Sequence, residues 1–184
     1  MPGSIIAICG MPGSGKGELN RMAVERGIPV LSMGDMIRAE ADARGLEETP
    51  SNIGEIAVSL RAEFGDGVLA ERMLTHADTA AAEHPLVFIE GMRGVAEAVV
   101  FRRHWAQRFG VLAIESEVET RWRRIAARRR GEDGRRADFE TREQRELQWG
   151  LGTLIAAAEH RLCNDGEISE LEVEFGDFLA NLNA

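Results

Sequence analysis

The chain has 184 residues, 44% hydrophobic and 29% charged, enough to bury a core as one domain and typical of a soluble globular protein. No apolar run reaches the length of a membrane span, and the N-terminus lacks a basic region followed by a signal core, so the sequence reads as cytoplasmic. A net charge of −9 argues against general binding to DNA or RNA, although the stretch from Arg121 to Arg136 sets eight arginines against Glu132 and Asp133 and is locally basic.

In chain order, Ile5 to Cys9 is a short continuous apolar run, as expected of a strand buried on both faces of a parallel sheet. It leads into Gly10-Met11-Pro12-Gly13-Ser14-Gly15-Lys16-Gly17, which matches the phosphate-cradling pattern GxxxxGK[ST] except at its last position. Lys16 is the only lysine; every other cationic side chain is arginine. Arginine's planar fork suits bidentate pairing, whereas an ammonium on a flexible stem acts as a point charge between phosphate oxygens. A helix is predicted over Glu18–Arg26, stopped by Gly27, which would present unpaired N–H groups and its positive dipole end to phosphate. Nucleotide binding by residues 10–18 follows from this strand–loop–helix placement.

Further strands are predicted at Ile28–Leu31, Leu86–Ile89, Val111–Ile114 and Arg161–Cys163. Ile53, Ile56, Ala57, Leu60 and Phe64 fall at helical spacing behind Thr49 and Pro50, a cap and first-turn pair. Helices are also predicted over Val68–Glu83, Val95–Phe109, Val118–Arg130, Phe139–Glu159 and Ile168–Leu182. Alternating strands and helices imply an α/β fold, a parallel sheet with helices on both faces and right-handed crossovers. Cys9 and Cys163 form no metal-ligand spacing and read as buried, quiet thiols, and the four histidines are scattered.

The loop resembles that of adenylate kinases and related nucleoside-monophosphate kinases, and the likeness runs through the chain in the same order. Met33-Gly-Asp-Met-Ile-Arg38 resembles their Gly-Asp-x-x-Arg segment; Phe88-Ile-Glu-Gly-Met-Arg93 resembles their third-strand segment; Arg124-Ile-Ala-Ala-Arg128, Gly134–Asp138 and Arg142–Arg145 resemble their lid. The chain is most similar to an archaeal family of adenylate-kinase-related P-loop proteins, whose substrate the likeness does not supply. The resemblance implies a three-layer P-loop fold with a five-stranded parallel sheet in order 2-3-1-4-5, a single domain with an acceptor-binding insertion near residues 33–80, and a small arginine-rich lid near 121–145.

It implies ATP and Mg²⁺ as cofactors and transfer of the γ-phosphoryl group to a nucleoside monophosphate or similar small phosphorylated acceptor. Lys16, Arg93, Arg124 and Arg128 would then be catalytic; Asp35, Arg38 and Arg93 would hold the acceptor; Glu90 would serve the metal; Arg136 and Arg145 are secondary lid candidates. The remaining arginines of the run read as surface residues. Each assignment has a local alternative: Asp35 as a helix cap, Arg38 as a solvated ion pair, the arginine run as a solvated helix face. A carboxylate such as Glu90, ending an apolar strand before Gly91, is costly to bury unless paired or serving a metal-bound water.

Three departures from the family pattern stand out. Gly17-Glu18 replaces the residues that would bring a hydroxyl near Mg²⁺, and Met33 stands where a threonine is common. Glu97 stands where adenylate kinases carry a glutamine that reads adenine. A carboxylate only accepts hydrogen bonds and would suit the donors of guanine; the alternative is that Glu97 is an exposed helix residue. A reading from a different class is an ATPase switch or assembly factor on the same scaffold, with an RNA or protein partner.

Overall fold

Five short apolar runs become the strands of one parallel sheet in the computed structural model, which describes residues 2–128 and 135–182. The strands are β1 (Ser4–Cys9), β2 (Val30–Ser32), β3 (Leu86–Glu90), β4 (Phe109–Glu115) and β5 (His160–Cys163), in the order β2-β3-β1-β4-β5. The helices are α1 (Lys16–Glu25), α2 (Met33–Ala43), α3 (Pro50–Phe64), α4 (Val68–Glu83), α5 (Val95–Trp105), α6 (Val118–Arg128), α7 (Arg136–Gln148), α8 (Leu151–Ala156) and α9 (Ile168–Leu182). The chain divides into two compact units, one of residues 1–7 and 28–110, the other of 8–27 and 111–184.

In the first unit Ile5, Phe88, Ile89, Leu60, Met33 and Met73 are fully buried, and β2 pairs with β3 in the register Val30↔Phe88, Ser32↔Glu90. β2 starts two residues later than predicted because Pro29 has no N–H to give to a ladder; its carbonyl instead accepts from Phe88 N at 2.9 Å. Thr49 caps α3, accepting from Asn52 N at 3.2 Å, as the sequence suggested. Helix α5 ends at Trp105, short of the predicted Phe109. Phe101, Trp105 and Phe109 pack together, with Phe101 5.0 Å from Trp105 and 5.4 Å from Phe109. Ala106 adopts φ 50°, and a 3₁₀ turn over Ala106–Arg108 leads into β4.

In the second unit Ile8, Leu19, Met22, Phe139 and Phe175 form the core. The helix predicted over Phe139–Glu159 is two helices, since Gly150 turns at φ 93° between α7 and α8. The register Leu112↔His160 to Glu115↔Cys163 pairs β4 with β5. β5 closes the sheet order and buries only Leu162, so Cys163 is exposed, not buried as expected. Cys9 is buried, and desolvation pushes its thiol up to about 12.

One polar group ties α4 to α5. Asp78 accepts from Trp105 Nε1 at 2.7 Å and pairs with His104 Nε2 at 2.8 Å, while Trp105 is 2% exposed. Burial works to raise the Asp78 carboxyl, but the bonds from Trp105 and His104 outweigh it and hold the carboxyl below its ordinary range. Its stabilisation is therefore complete above the unfolded carboxylate value and is lost as pH falls through the lowered native one. Asp78→Ala should cost about 1–2 kcal/mol at neutral pH, for a buried indole N–H left without its acceptor. Urea denaturation checks this, and the gap from wild type should narrow below about pH 4.

Candidate functional site

The sequence's phosphate loop leaves β1 at Cys9 and closes into α1 at Lys16. Two of its glycines are dictated by what surrounds them. Gly13 turns at φ 82°, and a Cβ there would lie 2.7 Å from the Arg121 carbonyl; Gly15 turns at φ 109°, and a Cβ there would lie 2.1 Å from Asn164 Nδ2.

Cations and an amide of this unit hold the loop's carbonyls. Lys16 Nζ donates to the Gly10 carbonyl and, at 3.2 Å, to that of Met11. Arg121 Nη1 donates to the Pro12 carbonyl at 3.2 Å, and Asn164 Nδ2 donates to the Ser14 carbonyl at 2.7 Å. With these acceptors engaged, two positive side chains lie against the loop, and α1 begins there with the positive end of its dipole. The Ser14 hydroxyl is fully buried and has no hydrogen-bond partner among the described residues. Such an arrangement attracts an anion.

Arg121 is held on every side. Its Nε donates to the Ser116 carbonyl at 2.9 Å, its Nη1 also pairs with Glu143 of α7, and its guanidinium lies 5.6 Å from the centre of the Phe139 ring. At 5% exposure it overturns the expectation that it is a surface residue. Arg121 and Ile125, four residues apart, are both buried on one face of α6, with Trp122 half-buried beside them.

Next to Gly15 lies a cavity of about 460 Å³ bordered by Glu18, Arg124, Asn164 and Ile168. Arg124 Nη1 donates to the Asn164 carbonyl at 2.8 Å and Nη2 to Asn164 Oδ1 at 3.3 Å. With a further bond from Nη1 to Ser116 Oγ at 3.3 Å, the edge of this guanidinium is occupied, and the residue borders the cavity. Glu18 pairs with Arg21 at 3.1 Å along α1. Arg128 ends α6, and the expectation placed on its side chain, like those on Arg129, Arg130 and Gly134, lies outside the described residues. Arg136 bonds Glu119 and Glu140 and lies 5.6 Å from the centre of the Trp122 ring, and Arg145 lies 5.5 Å from that of Trp149. Both are engaged along α7 and its partners.

The other unit carries the residues expected to meet the acceptor. Asp35 sits in the first turn of α2, one turn before Arg38, whose Nε bonds Asp35 Oδ1 at 3.0 Å; Ser32, not Asp35, is the cap. Both side chains are more than 40% exposed, at 42% and 57%. Beside them lies a cavity of about 540 Å³, with Leu31, Met36 and Met73 as apolar wall and Glu40 and Arg72 bonded to each other at 2.6 Å. Glu90 ends β3 half-buried opposite Ser32, and Gly91 turns at φ 89° toward Arg93. Among the described residues no cluster of three or more His, Cys, Asp or Glu could hold a metal ion. A single carboxylate fits Mg²⁺ when phosphate oxygens and water supply the other ligands.

Glu97 is 2% exposed, which overturns the exposed alternative. Oε2 accepts from the backbone N–H of Arg93 at 2.7 Å and of Gly94 at 3.2 Å, and Oε1 accepts from Arg61 Nη2 at 3.2 Å. It shares a stripe with Phe101 and Trp105, and its carboxylate organises the loop after β3.

Strand order and loop together define a P-loop kinase-like protein. A family model described as an AAA domain matches residues 9–143. UPF0200 proteins of Methanosarcina mazei and Hyperthermus butylicus are 38% and 40% identical to this chain over 178 and 181 residues, covering 96% and 97% of it and 94% of each relative. The UPF0200 protein of Methanothrix thermoacetophila is 42% identical over 170 residues, covering 90% of this chain and 91% of its own. The chain belongs to the UPF0200 family. Among solved structures, TT1252 from Thermus thermophilus superposes with a TM-score of 0.65 at 26% identity, over 99% of both chains. A shikimate kinase from Bacteroides thetaiotaomicron, at TM-score 0.56 and 15% identity, covers 98% of this chain and 99% of its own, and shares the fold. So does a sugar kinase from Janibacter, at 0.56 and 19%, covering 99% and 95%.

Arg121→Met should strand the Glu143 carboxylate, only 14% exposed, and release the Pro12 carbonyl. The expected loss is about 3 kcal/mol in chemical denaturation, against less than about 0.5 kcal/mol for Ala at exposed Arg123. Glu97→Gln, which removes the charge facing Arg61, should lower stability by about 1 kcal/mol.

Proposed function

We propose that this protein is a P-loop phosphotransferase that binds Mg-ATP on residues 10–18 and passes the γ-phosphoryl group to a nucleoside monophosphate or a similar small phosphorylated acceptor. The observation that carries the reading is the engagement of the Gly10, Met11, Pro12 and Ser14 carbonyls by Lys16, Arg121 and Asn164, which leaves an anion-seeking loop at a helix N-terminus. The P-loop kinase-like fold of its neighbours supports it.

In this reading Lys16 exchanges its own loop carbonyls for β- and γ-phosphate oxygens, a change its flexible stem allows. The base and ribose take the cavity beside Gly15, against the face of Arg124, a stacking arrangement available to a guanidinium whose edge is occupied. Arg38 and Arg93 hold the acceptor phosphate. The Arg38–Asp35 pair is exposed and therefore weak, so trading the carboxylate for a phosphate costs little. The acceptor's remaining body has the apolar-walled cavity between α2 and α4 to enter. Glu90 would hold Mg²⁺ through water, and the bound ion would supply charge neutralisation to the phosphates. Transfer between phosphates needs no protein nucleophile; positioning and charge neutralisation suffice.

The direct test is ADP release with ATP and each common nucleoside monophosphate in turn. Acceptor-dependent release is expected; ATP hydrolysis stimulated by RNA or a protein partner and indifferent to every monophosphate would replace this reading with the ATPase switch. Lys16→Arg should lower turnover about 100-fold, the scale of losing one placed transition-state contact, with an unchanged melting temperature. Arg38→Ala should raise the acceptor KM about tenfold while leaving ATP binding as in wild type, the signature of a lost phosphate contact.

A further inference from the structure

Asn164 is a buried polar residue to which the sequence pointed in no way. It follows β5, is 5% exposed, and is anchored by its own N–H to the Glu115 carbonyl at 2.8 Å. Its side-chain amide faces two different partners: Nδ2 donates to the Ser14 carbonyl at 2.7 Å, and Oδ1 accepts from Arg124 Nη2 at 3.3 Å. Its main-chain carbonyl accepts from Arg124 Nη1 at 2.8 Å. We propose that Asn164 is the positioning residue of the nucleotide cavity, fixing the Arg124 guanidinium and the phosphate loop to one point. The proposal rests on the nucleotide reading given above.

Chemistry dictates the residue type. One end must donate to a carbonyl while the other accepts from a guanidinium, within one short side chain. Aspartate would set an acceptor against the Ser14 carbonyl, and an aliphatic side chain would leave that carbonyl and Arg124 Nη2 without their partner. The contact is also steric. Asn164 Nδ2 occupies the place a Cβ on residue 15 would need, at 2.1 Å, so the glycine before Lys16 and this amide are a matched pair.

Two bonds from one residue to the two terminal nitrogens of Arg124 define the plane of its guanidinium. Arg124, Asn164 and Gly15 border the same cavity of about 460 Å³, a volume suited to a nucleoside. Without the amide oxygen, Arg124 would keep only the Nη1 bonds to the main-chain carbonyl of residue 164 and, at 3.3 Å, to Ser116 Oγ; with Nη2 released, the guanidinium plane could turn about that end, and a ligand would have to reorder it on binding. Asn164 thus acts on nucleotide through Arg124 and the loop.

A double-mutant cycle on the full chain tests this, with titration calorimetry of the non-hydrolysable ATP analogue AMP-PNP and denaturation run in parallel. Asn164→Ala should weaken binding about tenfold, and adding it to Arg124→Ala should cause little further loss, because the two act as one unit. Losses that multiply in the double variant would overturn the proposal, as would wild-type affinity in Asn164→Ala accompanied only by lower stability. Should Asn164→Ala fail to fold, Asn164→Asp gives a second reading: its deficit relative to wild type should shrink as pH falls and the introduced acid regains a proton to donate, and a pH-independent deficit would overturn the idea. Wild-type protein that binds no AMP-PNP would overturn the nucleotide reading and this proposal together, whereas binding by wild type with a failed cycle removes this proposal alone.

Discussion

Peptide carbonyls repel phosphate, and a short loop that is to bind an anion must first dispose of its own. Here the Gly10, Met11, Pro12 and Ser14 carbonyls are taken by side chains that arrive from three places in the sequence: α1, α6 and the residue after β5. The rest of the second unit can be understood as what is needed to deliver those side chains. Arg121 requires α6 to lie with its Arg121–Ile125 face inward, Glu143 on α7 to balance a buried cation, and Phe139 beneath the guanidinium. Asn164 requires β5 to end in register beside Glu115. The glycines at 13 and 15 are then consequences, since the groups that hold the loop occupy the space any side chain would need.

The first unit solves a similar problem with opposite charge. The loop after β3 turns back at Gly91, and its N–H groups at Arg93 and Gly94 face inward to a buried carboxylate. Glu97 is therefore the counterpart of Arg121: a charge placed inside to fix a short stretch of backbone, balanced by one partner of opposite sign, Arg61. Buried charges of this kind are costly unless paired and hydrogen-bonded, and both are.

Much of this was legible in the sequence where one local pattern decides structure. The spacing from Gly10 to Lys16, the apolar strand before it, the limits of α4 and α9 and the Thr49 cap all rest on neighbours within a few residues. Other features depend on chain that is distant in sequence. Asn164 is 150 residues from the carbonyl it serves, and nothing around it in the sequence distinguishes it from a turn residue. Arg121 and Glu97 are intermediate cases: charge suggested surface, yet both fall on the apolar stripe of their helix, and stripe position outweighs charge when a partner is supplied from another element. Gly150 lies between Leu147 and Leu151, which stand at helical spacing, so the sequence pattern carries across the turn that it makes at φ 93°.

The use of one lysine among so many arginines follows from the same physics. Arg121 meets the Ser116 carbonyl, the Pro12 carbonyl and Glu143 in different directions through a rigid fork, so moving it would break all three at once. Arginine is suited to a cation that must stay. Lys16 holds the Gly10 and Met11 carbonyls of its own loop through one nitrogen on a four-carbon stem, and that flexible stem lets it exchange them for the oxygens of an incoming anion. Arg124 lies between these cases, fixed at its edge and bordering the cavity beside Gly15. A protein built almost wholly with arginine thus has reason to keep lysine at the position where a charge must be both present in the resting loop and free to transfer its bonds to an incoming anion.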